Sequence, residues 1–127
     1  MRLIMHARLV CRALYELIRY DVRFGVRGFE AIRHDLERPA KGETSKADVR
    51  VICEAVDLAA CFYWKTVLCL QRAACTVRLL RAHGADSHLV IGYRPLPFFS
   101  HAWVEIDGQV VNDSPVYRER LNVLYTV

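Results

Sequence analysis

The sequence predicts an α+β fold, with helices in the first two thirds of the chain and a small antiparallel sheet in the last third. Two observations support this class. As far as His83, apolar residues recur at intervals of three and four, which is the period of a helix with one buried face. From Asp86 onward, apolar and polar residues alternate, as they do in a strand with one buried face.

The length and composition predict one domain. A chain of 127 residues is long enough to bury one core and too short for two. We divide it into N-terminal helices and a linker (1–44) and a core (45–127). Apolar residues make up 54% of the chain, yet no apolar run approaches the roughly 18 residues of a membrane-spanning helix. We expect no membrane contact and an apolar surface that a protein partner covers.

Charge and cysteine content exclude several classes of protein. The net charge of +4 comes largely from arginines that alternate with acids and apolar residues in the N-terminal third, which is typical of solvated helix faces and not of nucleic-acid binding. Five cysteines without CxxC spacing argue against a disulfide framework or a zinc site. We predict no metal and no cofactor. The charged N-terminus lacks a secretory signal, so we expect a cytoplasmic protein.

Four helices are predicted from the apolar period. The first runs from Leu3 to about Tyr20, and a second covers 22–36 despite two glycines. After a polar linker at 37–44, Ser45 is placed to begin a third helix that continues to Tyr63. Thr66 is a candidate N-cap for the fourth helix, which runs to His83 and stops at Gly84. The polar residues of this fourth helix are expected to face water, namely Gln71, Arg72, Arg78 and Arg81.

Strands follow the helices. The first is predicted at 87–93, and a hairpin at 99–113 turns at Asp107-Gly108, a dipeptide that favours tight turns. The tail at 121–127 is a candidate for a further strand.

Three residues of this pattern could form a thiol nucleophile system, which needs a cysteine, a histidine and an acid. Cys69 lies in the first turn of the fourth helix, His101 on the first arm of the hairpin, and Asp113 on the second. Each also has an ordinary structural role open to it, as a core cysteine, a half-exposed histidine or a turn-forming aspartate. His88 is an alternative histidine. Asp107 is an alternative acid, but the turn requires it.

The hairpin register decides whether the histidine and the acid can meet. With a two-residue loop at 107–108, Asp113 pairs with Ala102 and lies on the opposite face of the sheet from His101. With a three-residue loop that ends in a bulge at Gly108, Asp113 pairs with His101 on one face. A triad therefore predicts a loop with an odd number of residues or an equivalent bulge, which we place at Gly108.

Several segments together resemble the transglutaminase-like B proteins of lasso peptide biosynthesis. The order Cys, His, Asp and the spacings of 32 and 12 residues also fit that pattern. The resemblance covers about 45–114, and the segments that carry it are Cys69-Leu70, Arg81-Ala82-His83-Gly84-Ala85-Asp86, Leu89-Val90-Ile91-Gly92, His101-Ala102-Trp103-Val104-Glu105-Ile106-Asp107-Gly108 and Asn112-Asp113.

The resemblance implies a papain-like α+β core, in which a catalytic helix packs on the sheet, and a cysteine peptidase that removes the leader from a lasso peptide precursor. Cys69 would be the nucleophile, His101 the general base and then acid, and Asp113 the orienting acid. The backbone N–H of Cys69 would be one oxyanion donor. The second oxyanion donor is not identified. The candidates are Tyr63, Trp64 and Thr66, which precede the cysteine in the sequence.

The resemblance also implies partners. Many relatives carry a winged-helix leader-recognition domain ahead of the peptidase, and this chain resembles the stand-alone peptidase half of a split system. The expected partners are the precursor leader peptide, a separate recognition protein and, as a further candidate, the lasso cyclase. Two alternatives are another acyl transferase or amidase on the same triad, and a non-catalytic peptide-binding domain of the same fold.

Overall fold

The computed structural model describes residues 2–40 and 46–127. The change from helices to strands occurs where the sequence period changes, so the predicted α+β class is confirmed. In chain order the elements are α1 (Arg2–Arg27), α2 (Phe29–Asp35), α3 (Lys46–Phe62), α4 (Cys69–Ala82), β1 (His88–Pro95), β2 (Phe98–Ile106), β3 (Gln109–Val110), α5 (Val116–Arg120) and β4 (Asn122–Thr126).

Helix α1 is longer than the sequence predicted. It continues past Tyr20 and Gly25 and ends at Arg27, because one glycine costs only about 1 kcal/mol in a helix and packing on the other helices outweighs that cost. The break falls at Gly28, whose φ of 70° is a left-handed conformation that glycine adopts without steric penalty. Ser45, the predicted cap of α3, lies outside the described residues, as does the second half of the linker.

A buried carboxylate holds α1 and α2 together. Asp35 accepts hydrogen bonds from Arg19 at 2.9 Å and from both Nε and Nη2 of Arg23, at 3.2 and 3.1 Å. Burial raises the pKa of Asp35, but the hydrogen bonds from the two guanidinium groups outweigh it and lower the pKa below its usual value. Arg19 and Arg23 therefore form internal ion pairs with Asp35 and do not lie only on a solvated helix face.

The polar residues of α4 point largely inward, contrary to the prediction that they face water. Gln71 donates to the carbonyl of Leu17 at 3.0 Å, and Arg78 bonds the buried carboxylate of Glu16 at 2.8 Å. Arg81 is buried among backbone carbonyls, and burial lowers its pKa. The neighbouring helices present acceptors to α4, so these donors are satisfied in the interior.

The ends of α4 confirm one prediction and contradict another. Gly84 has a φ of 91° and closes the helix with two backbone bonds, from its own N–H to Arg81 and from Ala85 to Leu80, as in a Schellman motif. At the other end Leu68, and not Thr66, occupies the N-cap position. Cys69 is therefore the first residue of the helix.

The sheet separates two apolar clusters. Its strand order is β3-β2-β1-β4, and each neighbouring pair is antiparallel. Ala102 and Val104 of β2 belong to the main core together with residues of α4, while Trp103 packs with Val90 and Leu121 in a smaller cluster. Since side chains alternate along a strand, the helix α4 and the Trp103 cluster lie on opposite faces. The predicted C-terminal strand is confirmed as β4, which pairs with β1.

Over residues 2–40 and 46–127, no helix is both long enough and apolar enough to cross a membrane.

Candidate active site

His101 lies on β2 opposite Gly92 of β1. Its Nε2 is 2.7 Å from Oδ2 of Asp113, and its side chain is 14% exposed. An ionised carboxylate only accepts hydrogen bonds, so Nε2 carries the hydrogen in this contact. Within the described ranges Nδ1 has no hydrogen-bond partner, which leaves its lone pair available to accept a proton.

The loop between β2 and β3 contradicts the predicted bulge at Gly108. Ile106 pairs with Gln109, so the loop consists of Asp107 and Gly108 alone. Their φ values of 52° and 77° are both left-handed, as a two-residue primed turn requires. The prediction was wrong because an Asp-Gly pair adopts this ordinary turn without needing an extra residue.

Asp113 nevertheless meets His101, because the chain leaves strand geometry after β3. Residues 111–113 form a bend. Val111 still donates to the carbonyl of Val104 at 3.0 Å, and the side chain of Asn112 then accepts from the N–H of Val104 at 2.8 Å. The Asn112 side chain thus replaces the next backbone partner, and side-chain alternation no longer controls where Asp113 points.

Asp113 also contacts α4. Its Oδ2 accepts a second hydrogen bond from Nη2 of Arg72 at 2.9 Å, and its Oδ1 accepts from the backbone N–H of Ser114 at 2.8 Å. Three donors therefore fix the carboxylate, in agreement with a side chain that is only 18% exposed. Sequence reasoning missed Arg72, because its place in the helical period suggested a solvated residue.

The short helix α5 covers the imidazole and was not predicted. The ring centroid of Tyr117 lies 4.0 Å from that of His101. The helix is held in place by Arg118, which bonds Glu105, and Glu105 in turn accepts from the indole N–H of Trp103 at 2.7 Å. Five residues give too short a stretch for an apolar period to reveal a helix.

Cys69 is partly buried at the start of α4 and packs against the main core. In the described part of the chain its sulfur makes no hydrogen bond to His101. The structure therefore brings His101 and Asp113 into contact and does not join Cys69 to them directly. The link is Arg72, which lies one helical turn after Cys69 and bonds Asp113.

The remaining cysteines and histidines occupy less suitable positions. Burial raises the pKa of Cys53 to about 12 and also raises that of Cys75, which disfavours their thiolates. His88 lies opposite Glu105, and His83 contacts the carbonyl of Leu79 through Nδ1. Neither histidine is bonded to Asp113. Two cysteines are exposed, Cys11 and Cys61.

The candidates for a second oxyanion donor are not equivalent. The hydroxyl of Tyr63 donates to Asp21. Burial, followed by that hydrogen bond, raises the pKa of Tyr63 to about 12. Its donor is therefore already used. Trp64 and Thr66 are exposed, so their donors are not committed to a buried partner.

A groove of about 600 Å³ lies between α3 and the β2–β3 hairpin. Among the residues that line it, Asp57 is 3.6 Å from Arg72 and Asn112 precedes Asp113 in the sequence. Its other lining is both apolar and charged.

Comparison with known proteins gives one family and one curated relative. Residues 14–126 match the family described as the transglutaminase-like superfamily. The chain is also 48% identical over 56 residues to the microcin J25-processing protein McjB from Escherichia coli. That match covers 44% of this chain and 27% of McjB. No solved structure matches the chain.

Proposed function

The chain belongs to the transglutaminase-like superfamily, and on that premise we propose that it is a cysteine peptidase that removes the leader peptide from a ribosomally made lasso peptide precursor. The observation that carries the proposal is the 2.7 Å contact between His101 and Asp113, next to a helix that begins at Cys69. The similarity to a protein that processes microcin J25 supports the choice of substrate class.

In the proposed reaction Nδ1 of His101 takes the proton of the Cys69 thiol, since Nε2 is occupied by Asp113. The thiolate attacks the carbonyl carbon at the leader–core junction, and the new C–S bond forms a tetrahedral intermediate. The C–N bond then breaks as the imidazolium gives its proton to the leaving amine. Water, deprotonated by His101, hydrolyses the thioester and regenerates the thiol.

The position of Cys69 favours these steps in two ways. The first N–H groups of a helix have no partners within the helix, so the N–H of Cys69 is available to stabilise the oxyanion. The positive end of the helix dipole also favours the thiolate. His101 shares the face of β2 that carries Trp103, whereas Cys69 packs with the main core on the other face. The proposed reaction therefore requires a rearrangement in the substrate complex that brings the thiol to Nδ1.

The proposal includes partners and a compartment. The leader peptide is the substrate, and a separate recognition protein of the winged-helix type delivers it in the cytoplasm. The lasso cyclase would take the freed amine of the core peptide. The match to McjB covers 27% of that protein, so activity, substrate and partners are all part of the proposal.

Cys69→Ala is the direct test, with Cys61→Ala as the matched control, because Cys61 is an exposed cysteine outside the proposed site. Both variants are incubated with the precursor and the recognition protein, and cleavage is followed by mass spectrometry. Cys69→Ala should lose cleavage at least a thousandfold, while Cys61→Ala keeps it. Retained cleavage in Cys69→Ala would exclude the proposed nucleophile.

The same assay separates the competing functions. With a primary amine added, a peptidase releases the leader as a free acid, whereas an acyl transferase gives the leader amide. A binding domain of the same fold would bind the precursor and release neither product.

A further inference from the structure

One oxygen atom of Asp113 serves two cationic or potentially cationic groups. Oδ2 lies 2.7 Å from Nε2 of His101 and 2.9 Å from Nη2 of Arg72. The imidazole and the guanidinium are therefore within roughly 6 Å of each other, a range at which their charges interact strongly in a partly buried site. Arg72 has 28% of its side chain exposed and Asp113 has 18%.

Arg72 also belongs to the element that carries the candidate nucleophile. It lies three residues after Cys69 on α4, which is the spacing of neighbours on one helical face. Its Nη1 is 3.6 Å from Oδ1 of Asp57 on α3. The guanidinium thus spans two carboxylates and ties the bend that carries Asp113 to two helices.

We propose that Arg72 is a positioning residue that acts on His101 through Asp113, and that its positive charge moderates the stabilisation that Asp113 gives to the imidazolium. The inference rests on the proposed function, in which His101 must both accept and release a proton. A histidine paired with a carboxylate alone would bind its proton more tightly. Less of it would then be in the neutral form that can accept a proton near neutral pH.

The charges around His101 determine the sign of the effect. Asp113 favours the imidazolium, Arg72 opposes it, and Asp57 acts through Arg72 by offsetting part of its charge. The other groups that contact the ring are aromatic and uncharged at neutral pH, namely Phe99, Trp103 and Tyr117. Removing the charge of Arg72 should therefore stabilise the imidazolium.

The test compares Arg72→Gln, Arg72→Lys and Arg33→Gln. Gln removes the charge, Lys keeps it without the planar fork, and Arg33 is an exposed arginine paired with Glu30 on α2, away from the site. The titration of the His101 ring is followed by NMR in the full chain without substrate, and the signal is assigned by its loss in His101→Gln. Circular dichroism confirms that each variant is folded.

We expect the titration midpoint of His101 to rise by about 0.5–1 pH unit in Arg72→Gln, to stay near the wild-type value in Arg72→Lys, and not to move in Arg33→Gln. With precursor as substrate, kcat should fall about tenfold in Arg72→Gln with KM within twofold of wild type, and Arg72→Lys should recover part of kcat.

An unchanged or lowered midpoint in folded Arg72→Gln overturns the inference, because a merely structural role would not raise it. If Arg72→Gln does not fold, the folded Arg72→Lys variant is measured instead. A wild-type titration midpoint of His101 together with a lowered kcat supports the inference. A shifted midpoint contradicts it. The NMR measurement needs no peptidase activity. A wild-type protein that cleaves nothing would therefore refute the proposed function while the coupling of Arg72 to His101 is still measured.

Discussion

Replacing Gly92 by alanine should destabilise the fold. An added Cβ at Gly92 would lie 2.5 and 2.8 Å from two ring carbons of Trp103 and 3.0 Å from Cβ of Leu121. Ordinary carbon–carbon contacts are about 3.5–4.0 Å, so the indole would have to move by about 1 Å. It has little freedom to do so, since Trp103 is fully buried and its N–H is bonded to Glu105. Overpacking of this kind costs about 2–3 kcal/mol.

The assay is urea denaturation followed by circular dichroism. With the urea dependence typical of a chain of this size, the midpoint should fall by about 1–2 M. Gly25→Ala is the matched control, because Gly25 lies within α1 and an added Cβ there has no atom within 4 Å. That variant should gain about 0.5–1 kcal/mol. A Gly92→Ala protein as stable as wild type would refute the argument that Gly92 makes room for Trp103.

Two further predictions concern charge and reactivity. Asp35→Asn should cost about 2 kcal/mol at pH 7, because it leaves two guanidinium groups without their carboxylate. The folded pKa of Asp35 is lowered, so its contribution is present above the unfolded value of about 3.8 and is lost as the pH falls through the folded pKa. The difference in stability between the wild-type and Asn proteins should therefore shrink as the pH falls below about 3.8, and a constant difference down to pH 2 would contradict the ion pair. In alkylation of the native protein at pH 8, Cys53 and Cys75 should remain unmodified, because burial raises the pKa of both, and should react only after unfolding. Mass spectrometry of the digested protein shows which cysteines are modified, and labelling of Cys53 or Cys75 in the folded protein would contradict the prediction.

The local pattern of the chain was sufficient to predict α4 and the strands β1 and β2 near the site, but not the short helix α5. The helical period, the glycine stop at Gly84 and the Asp-Gly dipeptide act over a few residues, so each could be recognised without knowing the fold. The predicted end of the first helix near Tyr20 and the predicted second helix at 22–36 were wrong, because residues 22–27 belong to α1 and α2 begins only at Phe29. The apolar period continues through this stretch and does not mark the break, which falls at Gly28 with its positive φ.

The side chains around the imidazole could not be predicted in this way. The inward orientation of Arg72 depends on Asp113, which is 41 residues away, and nothing in the period of α4 distinguishes it from a solvated arginine. The position of Tyr117 over His101 depends likewise on the contact between Arg118 and Glu105. Both contacts join elements that are distant in sequence.

The sequence by itself determined which residue types were available to the site and in what order, Cys69 on a helix start and His101 and Asp113 on the two sides of a turn. It also determined the turn, since Asp-Gly supplies two left-handed residues at little cost. Only the tertiary structure decided that His101 and Asp113 meet. The ordinary turn gives a register that separates them, and the bend secured by Asn112 restores the contact. The replacement of a backbone hydrogen-bond partner by a side chain depends on the folded structure, and it leaves no periodic pattern in the sequence.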